Sequence, residues 1–273
     1  MKLEVNGVTL NVQVHGDGPP VLLLHGFPDS CDLWQNQIPA LVDGGFRVVA
    51  PDLRGFGESD RPEEVADYHV IHSMEDAKGI LDHLEIERAH VVGHDWGAAV
   101  AWVFGSIYPD RTTTLTAMSV GHPASFQSVG WEQYARSWYM FMFQFEGVAE
   151  DWLSRNDFEF ARAMLGRHEY SDERIDNLCR PGALTAALNW YRANVPPHSW
   201  ISEPPDLPAV QSPTMGIWST GDIALSEDQM TGSEKHVSGP WRYERVEGAG
   251  HWMQLEKPER VNELLLDFFA TAG

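Results

Sequence analysis

The run Val91-Val92-Gly93-His94-Asp95-Trp96-Gly97 constrains this chain most: an apolar strand meets a helix across a turn in which an aspartate stands between two glycines. Small residues at 93 and 97 allow strand and helix to approach closely, and so sharp a turn lifts the residue at its apex above the sheet edge. A strand that is apolar without alternation is buried on both faces, the pattern of a parallel sheet covered by helices. Residues 21–24 and 46–50 are further apolar runs, with a helical stretch from about Trp34 to Leu41 between them. Ser73 and Asp76 have the spacing of a capping box, opening a helix in which Met74, Ala77, Ile80, Leu81 and Leu84 share one face ahead of the strand at 90–93. A helix follows Asp95, and residues 114–120 form the next strand. The expected fold class is α/β.

From about His122 to Pro208 the rhythm changes to helices dense in aromatic residues, closed by a proline-rich stretch from Pro196 to Pro208. Strand signals return at 214–218 and 241–246, and a last helix starts at Pro258, a favoured first helical residue, and ends near Phe269. The expected organisation is one core domain built from residues 1–121 and 209–273, with a helical cap inserted at 122–208. At 273 residues the chain can bury a core without metals or disulfides.

A formal charge of −21 repels phosphate backbones and anionic lipid, so neither nucleic acid nor a membrane is an expected partner. Cys31 and Cys179 match no metal or redox spacing and are expected to be free thiols. The amino terminus carries no apolar leader and no stretch is long and uncharged enough to span a bilayer, which points to the cytoplasm. Oligomeric state is left open.

Asp95 can be read as a helix N-cap or as a nucleophile. A carboxylate attacks a saturated carbon bearing a leaving group and becomes an alkyl ester, whereas a serine would become acylated. Cleaving that ester needs a base to activate water and an acid to orient the base. Asp222, in Ser219-Thr220-Gly221-Asp222, and His251, in Gly248-Ala249-Gly250-His251-Trp252, both fall on loops after strands. The order Asp95, Asp222, His251 is the nucleophile, acid, histidine order of α/β-hydrolases. The strand at 214–218 makes Asp222 the candidate acid, because Gly121 and His122 after the preceding strand offer no carboxylate. The backbone N–H groups of Phe27, in His25-Gly26-Phe27-Pro28, and of Trp96 are the candidate oxyanion hole.

With His25-Gly26-Phe27-Pro28, Arg54-Gly55-Phe56-Gly57-Glu58-Ser59-Asp60 and Gly93-His94-Asp95-Trp96-Gly97 in view, the chain resembles the α/β-hydrolase-fold epoxide hydrolases nearly end to end. The resemblance implies a mostly parallel eight-stranded sheet flanked by helices, with an inserted helical cap. It implies that Asp95 opens an epoxide, that His251 with Asp222 drives hydrolysis to a vicinal diol, and that two cap tyrosines protonate the ring oxygen. Tyr139, in Tyr139-Met140-Phe141-Met142-Phe143, and Tyr191, in Leu188-Asn189-Trp190-Tyr191-Arg192, lie in segments similar to those that carry them. A phenol remains protonated at neutral pH, as this role requires.

Trp131, Tyr134, Trp138, Phe141 and Phe145 follow helical spacing and are expected to pack as one stripe while Tyr139 faces a pocket. The expected pocket is apolar, lined by Phe27, Trp96, Trp138, Met142, Trp190 and Trp252, and suits aryl or alkyl epoxides. No metal or organic cofactor is implied, and the partners are the small-molecule epoxide and water. Haloalkane and haloacid dehalogenases use the same aspartate, and the Trp96 indole could serve a halide. A non-catalytic ligand-binding or signalling module is a third reading, whose mark is a broken triad.

Overall fold

The computed structural model describes residues 1–166 and 168–272. Eight strands form one sheet: β1 (Lys2–Val5), β2 (Val8–His15), β3 (Pro20–Leu24), β4 (Arg47–Pro51), β5 (Ala89–His94), β6 (Thr112–Met118), β7 (Thr214–Ser219) and β8 (Trp241–Val246), in the order β1-β2-β4-β3-β5-β6-β7-β8. β2 pairs antiparallel with both β1 and β4, and every other pairing is parallel. β5 is buried along its whole length, whereas β2 alternates buried and half-buried positions. The unbroken apolar run in the sequence thus marks the sheet centre, and alternation marks its antiparallel margin.

Helix Trp96–Ile107 packs on β3, β5 and β6, and helix Val70–His83 lies against it, while helix Gln37–Asp43 packs with helix Pro258–Ala272. From β3 the chain moves outward to β4, then returns to β5 on the other side of β3. Open α/β sheets bind ligands at such a reversal, beyond the carboxyl ends of the two diverging strands. Residues 27 and 95 follow those two strand ends.

Between β6 and β7 the sheet gains no strand; helices Pro123–Ser128, Trp131–Arg136, Tyr139–Met142, Val148–Leu165, Ser171–Leu178 and Ala183–Asn194 occupy this interval. Among the described residues no helix is long and apolar enough to cross a membrane. Both cysteines are free thiols.

Two sequence expectations are corrected here. Ser73 and Asp76 do not cap a helix: the helix begins at Val70 with His69 as its N-cap, and Ser73 is buried inside it. Asp76 instead receives Nε and Nη2 of Arg54, each at 2.8 Å, in a buried ion pair. Removing one partner of such a pair destabilises a fold by about 3–5 kcal/mol, so this residue fixes the loop after β4 and not a helix end. The aromatic stripe packs only in part: Tyr134 and Phe141 lie against Trp200, with ring centroids 5.2 and 4.4 Å away, and Trp138 meets Trp152 and Phe160. Its helix breaks at Ser137, and Trp131, Trp138 and Phe145 are 81%, 51% and 59% exposed, whereas Tyr139 is buried. Periodicity places residues on one side of a helix without stating whether anything covers that side.

Candidate active site

Asp95 occupies the apex between β5 and helix Trp96–Ile107 with φ 52° and ψ −122°, a conformation that L-residues rarely adopt. Such backbone strain persists where the surroundings over-determine it. The glycines supply that constraint: a side chain at Gly93 would strike the backbone of Gly97, and one at Gly97 would strike the backbone of Leu24. Gly26 serves the same purpose from the β3 side, since a Cβ there would meet the Asp95 carboxylate. The N-cap reading of Asp95 fails on geometry, because its side chain makes no capping hydrogen bond.

The Asp95 carboxylate has two distinct oxygens. Oδ1 accepts the backbone N–H of Phe27 at 2.8 Å, and Oδ2 faces His251 Nε2 at 3.6 Å. The other imidazole nitrogen, Nδ1, lies 3.0 Å from Asp222 Oδ2. Asp222 is deeply buried, and its Oδ1 accepts the N–H groups of Ala224 and Leu225 at 2.9 and 3.0 Å. The three residues predicted from loop positions therefore meet in one chain of contacts. No hydrogen bond from the Trp96 amide to Asp95 is present among the described residues, so Phe27 supplies the backbone donor and His251 the facing side chain.

Electrostatics follow from this layout. Burial opposes ionisation of Asp95, but His251 and the Phe27 N–H outweigh it and hold the carboxyl below its ordinary range. Asp222 is also lowered, against the pull of burial, by His251 and by the hydrogen bonds of Ser119 and Leu225. Burial would lower His251, yet Asp222 and Asp95 together raise it to about 10. His251 thus lies between two carboxylates, an arrangement that favours its protonated form. Burial raises the phenol of Tyr139, and the charge of Asp95 adds to it. Tyr191 is raised by burial, by Tyr139 and by Asp95. Both hydroxyls therefore stay protonated far above neutral pH.

Two cavities converge here. One, of about 160 Å³, is lined by Asp95, His251, Tyr139, Tyr191, Phe27 and Trp252, with Trp138 and Arg136 toward the cap. The other, of about 400 Å³, shares Asp95 and Tyr191 and adds Trp96, Ala99, Phe126 and Trp200. Tyr191 stacks edge-on to Phe27, Trp96 and Phe143, with ring centroids 5.6, 5.1 and 4.9 Å away. Of the expected pocket residues, Phe27, Trp96, Trp138 and Trp252 line one of these cavities; Met142 and Trp190 line neither. Trp190 is fully buried, donates its indole N–H to Arg54 O at 3.0 Å and packs behind Trp96. Its alternation with Tyr191 along one helix turns it away from the cavity side.

Several residues that sequence inspection passed over also support the site. Ser119, at the end of β6, donates to Asp222 Oδ2 at 2.6 Å and lies 3.0 Å from His251 Nδ1. No carboxylate follows β6 directly, and this hydroxyl stands in that place. His94 Nε2 lies 2.9 Å from the carbonyl of His251, and burial lowers its pKa to about 4, so it holds that backbone as a neutral ring. Asp29 accepts the indole N–H of Trp252 at 2.9 Å and pairs with His168 and Arg174 of the cap at 2.9 and 3.2 Å. It thereby joins the loop of Phe27, the loop of His251 and the cap.

With sheet order and site in place, the comparisons are specific. The alpha/beta hydrolase fold family matches residues 19–258. A protein of Bacillus subtilis named AB hydrolase superfamily protein YfhM is 36% identical over 97% of this chain and 96% of its own length. Epoxide hydrolase A of Mycobacterium tuberculosis is 33% identical over 97% of this chain and 95% of its own. Among solved structures, the Bacillus megaterium epoxide hydrolase in complex with an inhibitor superposes with a TM-score of 0.89 at 27% identity, covering 99% of this chain and all (100%) of that one. The chain belongs to the α/β-hydrolase family and, within it, to the epoxide hydrolases.

Proposed function

We propose that the protein converts an epoxide and water into a vicinal diol in two steps on Asp95. The observation that carries this reading is the division of labour at one carboxylate: Oδ1 is held by a backbone N–H while Oδ2 faces the cavity shared by His251, Tyr139 and Tyr191. In the first step Oδ2 attacks a ring carbon, the carbon–oxygen bond of the epoxide breaks, and Tyr139 or Tyr191 gives its proton to the departing oxygen. Phenols are the right donors because a carboxylic acid here would already be ionised.

The second step needs a base, and ester formation creates it. Once Asp95 is esterified its negative charge is gone, and with it one of the two interactions that stabilise the His251 cation. The imidazolium gives up its proton more readily, which restores the phenol deprotonated in ring opening, and the neutral imidazole then takes a proton from water as the water oxygen attacks the Asp95 carbonyl carbon. The tetrahedral oxyanion forms on Oδ1, opposite the Phe27 N–H, and movement of the Trp96 amide toward it would supply the second donor. A single such donor is worth about 2.7–4 kcal/mol. Collapse breaks the bond between the carbonyl carbon and Oδ2, His251 returns its proton to the departing alkoxide to give the diol, and the new carboxyl passes its remaining proton to His251, which restores the starting state.

We take residues 1–121 and 209–273 as the core domain and 122–208 as the cap. The cavities suit apolar substrates: a cavity of about 150 Å³ lined by aliphatic and aromatic side chains accepts benzene. The smaller branch matches a phenyl-sized group, favouring aryl or alkyl epoxides. A halide could leave from the same carboxylate, so diol formation and chloride release are measured side by side, and chloride release as the main activity would overturn the assignment. The direct test is quenched mass spectrometry after mixing with styrene oxide. Added mass on the peptide bearing Asp95, accumulating in His251→Gln, is expected; turnover with no such adduct would end the two-step scheme.

A further inference from the structure

One buried amide in the cap reaches the loop that carries Asp222. Gln133 lies in the short helix Trp131–Arg136 and is wholly buried. Its Nε2 donates to Ala224 O at 2.9 Å and to Ser137 Oγ at 2.8 Å, and its Oε1 accepts the N–H of Ser226 at 2.8 Å. Both amide hydrogens and the carbonyl are thus used, and two of the three bonds go to main-chain groups of the acid loop. Arg136 adds a bond from Nη1 to the carbonyl of Asp222 itself at 2.6 Å. The third bond of Gln133 points the other way along the chain. Ser137 is the break between two short helices, its carbonyl accepts the N–H of Met140 at 3.0 Å, and Tyr139 opens the second helix.

From the core side the same loop is held by a second buried amide, Gln229, which donates to Ser119 O at 2.8 Å and Ser226 O at 3.0 Å. The acid loop is therefore fixed below by the core and above by the cap. Replacing Gln133 with an apolar side chain would strand Ala224 O and Ser226 N–H away from water, and the loop would have to move to satisfy them.

We propose that Gln133 is a positioning residue that sets Asp222 and Tyr139 in register, so that one cap side chain places both the acid of the hydrolytic step and a proton donor of ring opening. This rests on the roles given to those two residues above. The cap then completes the triad instead of merely covering it.

The test separates the two half-reactions by rapid quench with styrene oxide and follows the His251 imidazole by nitrogen-15 NMR titration. Gln133→Met is expected to slow ester formation and ester hydrolysis by roughly tenfold or more each and to shift the His251 titration. Gln133→Glu, which keeps the acceptor for Ser226, is expected to recover part of both rates. Ser137→Ala should slow ester formation alone by about fivefold, and this variant together with Gln133→Glu, slowed in both steps, decides the matter if Gln133→Met does not fold. A lower Tm with both rates and the titration within about twofold of wild type would overturn the proposal, as would loss in one step only. Failure of the wild type to form an ester at Asp95 would overturn the reaction scheme instead, and the titration would still decide whether Gln133 positions Asp222.

Discussion

The two sides of the catalytic cavity are built by different physics. On the sheet side each residue of the proposed triad is fixed by directional bonds: Asp95 by the Phe27 N–H, Asp222 by two backbone N–H groups and Ser119, His251 by Asp222 and, through its carbonyl, by His94. On the cap side Tyr191 sits in an edge-on cluster of Phe27, Trp96, Phe143 and Tyr139, held mainly by ring packing. Hydrogen bonds set atoms to fractions of an ångström, which nucleophilic attack and base catalysis require. Proton donation to a nascent alkoxide tolerates a looser roof, especially one with two donors.

The sharpest way to break this contrast is at the sheet side. Asp95→Asn should abolish the adduct and lower turnover by at least about 10³-fold, and His251→Gln should lower turnover similarly while the adduct accumulates. Wild-type-like rates in either would remove the basis for treating that side as the reactive one. On the cap side the largest effect should appear only when both donors go. Tyr139→Phe with Tyr191→Phe is expected to slow ring opening by about 10²–10⁴-fold, well beyond the product of the single changes if each phenol can replace the other. Single-turnover rates for all three variants measure this directly.

A smaller change tests the directional network by pH. Ser119→Ala removes one donor from Asp222 Oδ2, leaving more of that carboxylate's charge to stabilise the His251 cation. In the proposed scheme hydrolysis of the ester needs neutral His251, so its rate should rise as pH climbs through the histidine pKa. In the variant that rise should move to higher pH, by up to roughly one unit. An unmoved or lowered limb would mean that Ser119 does not tune the pair. The smallest effect is expected outside the cavity: Trp131→Ser, on the exposed stripe, should leave turnover unchanged and shift stability by less than about 0.5 kcal/mol.

What could be read from the sequence divides along the same line. Asp95, Asp222 and His251 were legible because each sits in a local pattern of strand, glycine and turn, and the backbone demands behind such patterns are written within a few residues. The central strands were legible for the same reason. Ser119, Asp29 and Gln133 were not, because their partners lie 103, 223 and 93 positions away along the chain, where no spacing rule reaches. Tyr139 and Tyr191 stood out only through the family resemblance of their segments. Periodicity alone would have packed Trp131 and Phe145 in the same stripe, and both are exposed.

The left-handed backbone at Asp95 has a consequence for how this molecule can age. Its angles, φ 52° and ψ −122°, are those of a turn position that glycine fills without strain. Trading the carboxylate for a hydrogen atom would relax the elbow but leave the Phe27 N–H and the His251 imidazole without their partner, so Asp95→Gly should do no chemistry and gain little or no melting temperature. The strain of the turn and the partners of the carboxylate thus offset each other, and an inert descendant gains no sturdiness in exchange for lost turnover.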